Sequence, residues 1–313
     1  MFLEVNLRLL DRILYDGFEE VGLGVNKPAM LKHVSQAQLI VADNVAEYYL
    51  SHIGHEDPIT VSDFPNVMPP FQFTFLEMRY PGFSELKQGG YEEGGVLFVV
   101  DERKKWEEYG WFDTEDKRKL FYQPQVTYCL TGHVFIKLRG RLPRLYGYFV
   151  LPVDSQGQLV SSNTDIQFFF HFPMSFLDIT EAERMEFING TLMGRLALPA
   201  CLALSFMHCK NVKMVEEIPS AKLSKKRERK GGKPLLRYHV LKIDHMKSVL
   251  EHEGHASTEG LKKALHICRG HFATYGQDGK GKLFGKHAGR YWIPMHMRGD
   301  IKHGMVDKTY DVR

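Results

Sequence analysis

The sequence predicts an α+β protein with a pair of N-terminal helices, a mainly antiparallel sheet, a central buried helix and a basic C-terminal α+β unit. Two observations predict this architecture. Apolar residues have helical spacing at the N-terminus, form β-rich runs between residues 59 and 172, and regain helical spacing after residue 180. The formal charge is −8 over residues 1–210 and +11 over residues 211–313, which gives the net +3 and marks the C-terminal third as a basic unit.

Composition limits the class of protein. The 313 residues are 43% hydrophobic and 25% charged, which is ordinary globular composition and excludes disorder as the main state. The four cysteines are scattered, so neither a disulfide scaffold nor a structural zinc site is expected. The N-terminus carries acids in its first turns, and no run reaches the roughly 18 apolar residues of a membrane span, so we expect a soluble, cytoplasmic protein without a membrane partner.

Two helices are predicted before the sheet, over residues 3–22 and 27–53. Apolar residues recur at spacings of three and four in both. Asn26 is expected to cap the second helix, and Pro28 lies near its first turn, where a missing N–H costs nothing. Neither helix has a basic face, so the pair is not predicted to be a DNA-reading helix-turn-helix.

The β-rich runs between residues 59 and 172 predict one mostly antiparallel sheet, because clusters of Pro, Gly, Asn and Asp separate them. The charged segment 101–120 lies between two of these runs and is predicted to be a solvated helix or loop. Trp106 and Trp111 lie in this segment, and in an alternative interpretation they anchor a partner protein. The runs are FQFTFLEMRY, GVLFVVDE, QVTYCLTGHVFIKLRG, YGYFVLPV and IQFFFHF.

A further helix is predicted over residues 181–209, starting with a capping-box pattern at Thr180. Pro199 should kink or stop it. The segment after Pro199 is apolar nearly all round, which predicts a buried helix with Cys201 and Cys209 as core residues.

Residues 219–234 carry seven cations against one acid and have almost nothing to bury. Prolines and glycines at the ends predict a mobile linker or a long hairpin arm. Two interpretations stay open: a solvated linker, or a salt-sensitive contact with RNA or DNA that releases counterions. The candidate nucleic-acid-binding residues are Lys225, Lys226, Arg227, Arg229 and Lys230.

The C-terminal unit, residues 235–313, begins with a predicted strand in PLLRYHVLKID and a predicted helix over 257–267. The runs HICRGHFATY, LFGK and GRYWIPMHMRG follow. They resemble the C-terminal signature of a family of uncharacterised bacteriophage and prophage proteins, over roughly the last 80 residues. The resemblance implies a phage or mobile-element setting in a bacterial cytoplasm and brings no established activity.

Residue types in this unit predict chemistry on phosphate. Nine of the 15 histidines lie between residues 239 and 303, with few carboxylates among them. Two imidazoles can accept and donate a proton in one reaction, and guanidiniums can hold phosphate oxygens. These properties suit RNA cleavage through the 2′-hydroxyl, without metal or cofactor. The predicted catalytic residues are His271, His296, Tyr275 and Tyr291, and the predicted phosphate ligands are Arg269, Arg298, Lys286 and Arg290.

Packing, non-catalytic anion binding and catalysis all stay open for this cluster. A zinc site at His252 and His255 is disfavoured, because a fixed third ligand is lacking and the order is not H-E-x-x-H. The leading hypothesis is a phage-type protein that engages nucleic acid, RNA rather than DNA, through its C-terminal third, with ribonuclease activity as an extension. The alternative is a non-enzymatic accessory protein that binds a host protein; a homodimer is the default oligomer.

Overall fold

The structure is a computed structural model, and within it the chain divides into two compact units. The first comprises residues 1–207 and 214–241, and the second comprises residues 208–213 and 242–313. The predicted basic segment thus falls within the first unit. The residues that the structure describes are 7–20, 25–52, 64, 66–79, 91–108, 115–138, 141–160, 194–229, 234–243, 264–268, 271–276, 281–283, 287–293, 296–298 and 300–305.

A large mixed sheet, antiparallel at its centre, organises the first unit. Strands β3 to β6 pair as an antiparallel meander, β1 pairs in parallel with β6, and β2 pairs in parallel with both β3 and β8. The protein is therefore α+β with a mainly antiparallel sheet. In spatial order the strands are β1 (Glu19–Glu20), β6 (Arg144–Val153), β5 (Tyr128–Leu138), β4 (Tyr91–Glu102), β3 (Phe73–Met78), β2 (Gln38–Val41), β8 (Tyr238–Ile243) and β7 (Val212–Glu217).

One helix of the first unit begins where its capping signal predicts it, and the Thr180 capping box lies outside the described residues. The Asn26 side chain accepts a hydrogen bond from the Ala29 N–H at 3.1 Å, and Pro28 lies in the first turn, so this predicted cap is confirmed. The described helices are α1 (Leu9–Asp16), α2 (Lys27–Gln36), α3 (Asp43–His52), α4 (Arg103–Glu108), α5 (Glu115–Phe121), α6 (Leu198–Met207) and α7 (Ala221–Glu228).

Both predicted N-terminal helices are too long. The helix predicted over 3–22 ends at Asp16, because Gly17 adopts a φ of 81° and β1 follows. The helix predicted over 27–53 is interrupted by β2, which separates α2 from α3. Strand β2 lies between β3 and β8, so sheet pairing overrides the helical spacing of its apolar residues.

The buried helix is described from residue 194 onwards, where a π-helical turn over 194–197 leads into α6. Pro199 does not stop the helix, because it lies in the first turn of α6. All residues from Pro199 to Phe206 are buried. Cys201 and Cys209 are buried as predicted, and burial raises the pKa of the Cys209 thiol to about 12.

Within the charged segment 101–120, residues 103–108 form α4 and residues from 115 onwards belong to α5, and Trp106 belongs to the core. Its ring is 8% exposed and packs in a cluster with Phe121, Val126 and Val150. Trp106 is therefore not an exposed anchor for a partner, and the partner interpretation stays a prediction without it. Trp111 and the fifth β-rich run, IQFFFHF, lie outside the described residues.

Five strands are described in the second unit, arranged in two small sheets. The helix predicted over 257–267 is wrong where the structure describes it, because residues 264–268 form β9 and pair with strands on both sides. In the described part of the chain, no helix has the length and hydropathy of a membrane span. The strands are β9 (Ala264–Cys268), β10 (His271–Tyr275), β11 (Gly289–Ile293), β12 (His296–Arg298) and β13 (Asp300–Met305), in the orders β10-β11 and β12-β9-β13.

Candidate nucleic-acid interface

Residues 221–228 of the basic segment form helix α7, where a linker or an arm was predicted. Ser220 precedes the helix, and its carbonyl accepts from the Leu223 N–H at 2.9 Å and the Ser224 N–H at 3.1 Å. The run AKLSKKRE contains helix-forming Ala, Leu, Lys, Arg and Glu and no β-branched residue. The prolines and glycines that suggested a linker lie outside it, at 219 and 231–234.

One face of α7, continued by the C-cap Arg229 in helical conformation, carries four exposed cations, which we call the cationic face. Lys222, Lys225, Lys226 and Arg229 follow the spacing i, i+3, i+4, i+7, and all four are exposed. At about 100° per residue they occupy an arc of about 100°, and at 1.5 Å per residue they form a row about 10 Å long. The helix therefore aligns four positive charges in one direction.

The opposite face of α7 lies against α1. Ser224 and Arg227 are half-buried and lie about 180° around the helix from the centre of the cationic face. The Arg227 guanidinium lies over the Tyr15 ring, 5.4 Å from its centroid. The Tyr15 hydroxyl donates to the Pro234 carbonyl at 2.7 Å. These contacts attach both α7 and the segment that follows it to α1, and we call them the α1 latch.

An acidic residue of α1 supports the same attachment. Asp11 lies one turn before Tyr15, and its carboxylate accepts from the Leu236 N–H at 3.3 Å. Burial raises the pKa of Asp11, while hydrogen bonds to its carboxylate and the charge of Arg227 act in the opposite direction. The Tyr15 ring thus holds Arg227 on the α1 side, and the Asp11 carboxylate attaches Leu236 to the same helix.

The four cations of the cationic face make no ion pair with any described residue. The single acid of the helix, Glu228, lies about 110° around the helix from the centre of this face. The positive charge of the face is therefore not neutralised within the described residues.

The predicted tyrosines lie together in the second unit. Tyr291 is opposite Ala273 in the β10–β11 register, and Tyr275 is opposite Gly289, so both rings lie on one face of the hairpin. Their centroids are 6.2 Å apart in an edge-to-face arrangement. Tyr291 is 6% exposed, whereas Tyr275 is half-buried.

Arg290 lies on the other face of this hairpin, opposite Thr274 in the register. Its Nε donates to Thr274 Oγ1 at 3.3 Å. The structure therefore does not bring Arg290 together with the two predicted tyrosines, because successive side chains of a strand point to opposite faces.

His271 begins β10 and His296 begins β12, which belong to different sheets. The structure describes the backbone of these two residues and of Arg298, and their side chains lie outside the description, so the catalytic pair stays a prediction. Arg269, Lys286 and Lys230 lie outside the described residues altogether.

A buried network of charges, which the sequence analysis missed, lies in the first unit around Glu77. Glu77 is fully buried near the end of β3; its Oε1 lies 3.5 Å from Arg8 Nη1 and 3.6 Å from Arg79 Nε. Its Oε2 accepts from the Leu9 N–H at 2.7 Å. Glu93 lies 3.1 Å from Arg79 Nη2. We call these four charged residues and Arg12, which lies 3.5 Å from Glu93, the Glu77 network.

Burial and the neighbouring arginines shift the pKa of Glu77 in opposite directions. Burial raises the pKa of Glu77 to about 7, while Arg79 and Arg8 act to lower it. The available sequence signal was a glutamate in the otherwise apolar β-run FTFLEM. A charge at such a position is buried only when partners accompany it.

No group of three or more His, Cys, Asp or Glu side chains in the described ranges is arranged to hold a metal ion. Comparison of the chain with protein-family models, with curated proteins and with solved structures finds no match.

Proposed function

We propose that the protein binds nucleic acid through the cationic face of α7. The observation that carries the proposal is the alignment of four exposed cations, with no ion pair to any described residue, on the side of α7 opposite the α1 latch. A helix that buried these charges, or paired them with its own acids, would offer nothing to a polyanion. This one directs them to solvent in a fixed row.

Counterion release predicts how steeply the proposed binding should depend on salt concentration. A protein that neutralises four phosphates releases their condensed counterions, so log K falls with log salt at a slope of about −3.6 for a duplex or about −2.8 for a single strand. This term does not depend on base sequence. The proposed binding is therefore salt-sensitive and sequence-independent.

The sequence suggests the cellular setting in which the proposed binding takes place. A phage or prophage protein that acts on RNA in the cytoplasm of a bacterial host fits the resemblance of its C-terminal runs. The competing proposal of a host-protein partner loses one of its anchors, because Trp106 is in the core.

RNA cleavage is a separate extension of the proposal, supported by the clustering of histidines in the sequence. If His271 and His296 are a general acid and base, replacing either with alanine lowers turnover about 10²- to 10⁴-fold and leaves RNA binding in place. Unchanged turnover in both variants would rule out this pair.

The binding proposal is tested with two variants of equal charge. The quadruple variant K222Q/K225Q/K226Q/R229Q removes the cationic face. The control K27Q/K32Q/K104Q/K119Q removes four exposed lysines scattered over α2, α4 and α5. We expect the first to lower affinity for labelled RNA at least ~100-fold at about 0.1 M salt and the control to bind nearly as the wild type.

Circular dichroism and thermal melting check that both variants remain folded. Equal losses in the two variants would mean that net charge, and not the cationic face, governs binding. Displacement of RNA by polyglutamate at equal charge concentration would overturn nucleic acid as the ligand.

A further inference from the structure

Helix α7 offers cations to a ligand and no aromatic ring. The eight residues of α7 and the following Arg229 include no Phe, Tyr, Trp or His. The Tyr15 ring, which contacts this helix, lies beneath Arg227 on the side opposite the cationic face. Within residues 221–229, the cationic face can therefore contact phosphates and has no ring on which a base could stack.

This chemistry distinguishes two forms of nucleic acid. Proteins that bind single strands generally combine a basic groove with aromatic side chains, because each unpaired base gains about 1–3 kcal/mol by stacking on a ring. A duplex keeps its bases stacked inside and presents its phosphates at regular spacing. A row of cations without rings is thus complementary to the phosphates of a duplex. It cannot make the base-stacking contact that is the main contact with a single strand.

The α1 latch adds a second argument, because it fixes the direction of the row. Arg227 lies near the C-terminal end of α7, and the Tyr15 hydroxyl holds Pro234 just beyond the helix. A row held in one orientation loses little freedom on binding a rigid array of phosphates. A flexible single strand can adapt to a loose row as well as to a fixed one and gains less from the latch.

Resting on the proposed function, we propose that the ligand of α7 is double-stranded nucleic acid, contacted through its phosphates, and that Tyr15 is a positioning residue for the cationic face. Tyr15 touches Arg227 and Pro234 and carries no charge at neutral pH, so its contribution is geometric. Contact through phosphates also implies that duplexes of different base sequence bind equally.

The first experiment measures the affinity of the full chain for an RNA duplex of about 20 base pairs, for one of its strands and for the same duplex in DNA. At about 0.1 M salt, four contacts predict that the duplex binds about sixfold more tightly than the single strand. Tighter or equal binding of the single strand overturns the duplex inference and leaves the proposed function intact. Binding of none of the three overturns the proposed function.

The second experiment tests Tyr15 with Tyr15→Leu, which removes the ring under Arg227, and Tyr15→Phe, which removes the hydrogen bond to Pro234 alone. Loss of the cation–π contact is expected to weaken duplex binding about two- to fivefold. Single-strand binding should stay within error, so the duplex preference falls. Tyr15→Phe should show a smaller loss than Tyr15→Leu.

Arg227→Lys provides a second measure if Tyr15→Leu is unstable, since it keeps the charge and loses the flat guanidinium that lies over the ring. It should also lower the duplex preference. Equal weakening of duplex and single-strand binding in these variants would show that the latch is merely structural and would overturn the positioning role.

Discussion

The cationic face and the Glu77 network use similar cationic side chains in opposite ways. On α7, four cations are exposed, share one helix face and have no described acidic partner. In the Glu77 network, three arginines surround two glutamates, and Glu77 itself is fully buried. The comparison shows that burial and pairing, not residue type, separate charges that stabilise the fold from charges available to a ligand.

The physical reason is the cost of desolvation. A charge removed from water must be paired, so every arginine of the network lies within 4 Å of a carboxylate. A charge left in water needs no partner and contributes little to the free energy of unfolding. Substitutions in the network should therefore change stability, whereas substitutions on the cationic face should change binding.

The largest expected effect on stability comes from Glu77→Ala. Removing the carboxylate leaves Arg8 and Arg79 without their buried partner, which costs about 3 kcal/mol of unfolding free energy. The loss lies at the lower end for buried pairs because Asp43 and Glu93 remain close to these arginines. Chemical denaturation measures the loss.

Glu77→Gln is the matched control, because it keeps the size of the side chain and an acceptor for the Leu9 N–H. Its loss should be smaller, since burial already disfavours the ionised glutamate. Comparable losses in the two variants would mean that cavity or shape, and not charge pairing, is what Glu77 provides.

The next largest expected effect is a loss of fold stability at acid pH. Like the effect of Glu77, it comes from a desolvated side chain. Burial lowers the pKa of His133 to about 3, with His33 adding to the shift. Between about pH 6.5 and 3 the unfolded chain takes up a proton that the folded chain does not, so stability falls as the pH falls. Denaturation at several pH values in this window measures the slope.

His133→Phe should flatten the pH dependence. Glu77, whose pKa is raised, makes the free energy of unfolding rise as the pH falls from about 7 to 4.5. This contribution is the same in the wild type and in His133→Phe, so it cancels when their stabilities are subtracted. A variant with an unchanged slope would show that His133 does not cause the acid sensitivity.

A single substitution on the cationic face should have a moderate effect on binding and none on folding. Lys225→Gln removes one phosphate contact, which lowers the salt slope by about 0.9 and the duplex affinity about eightfold at about 0.1 M salt. Lys27→Gln, an exposed lysine on α2, is the control and should leave the slope unchanged. A loss of melting temperature in Lys225→Gln would contradict the separation of binding from stability.

The smallest effect is expected for an exposed ion pair on α5. Lys119 Nζ lies 2.8 Å from Glu115 Oε1, closer than either arginine lies to Glu77, yet both side chains are more than two-thirds exposed. Lys119→Gln should change the unfolding free energy by about 0.3–0.5 kcal/mol at most. A loss as large as that of Glu77→Ala would show that distance rather than burial determines the value of a pair.

Much of the fold could be predicted from local patterns. The antiparallel strands β3 to β6, the Asn26 cap and the buried helix ending in α6 each have a signal within a few residues. Strand β2 could not be predicted, because its apolar residues fit a helix and only pairing with β3 and β8 determines its conformation. The strand β9 was missed for the same reason.

The candidate site was predicted only in part. Lys225, Lys226 and Arg229 were identified from the charge run, but the linker interpretation concealed the helix that places them on one face. Arg227 belongs to the same run and lies on the other side of the helix, over Tyr15. The difference depends on the packing of α7 against α1, more than 200 residues apart in sequence, which no local pattern reveals.

The most direct test of the account is the slope of log affinity against log salt for an RNA duplex, measured for the wild type and for K222Q/K225Q/K226Q/R229Q. The account predicts a wild-type slope of about −3.6 or steeper and a decrease in steepness of about 3.6 in the variant. A variant that binds with the wild-type slope would contradict the assignment of the nucleic-acid interface to α7.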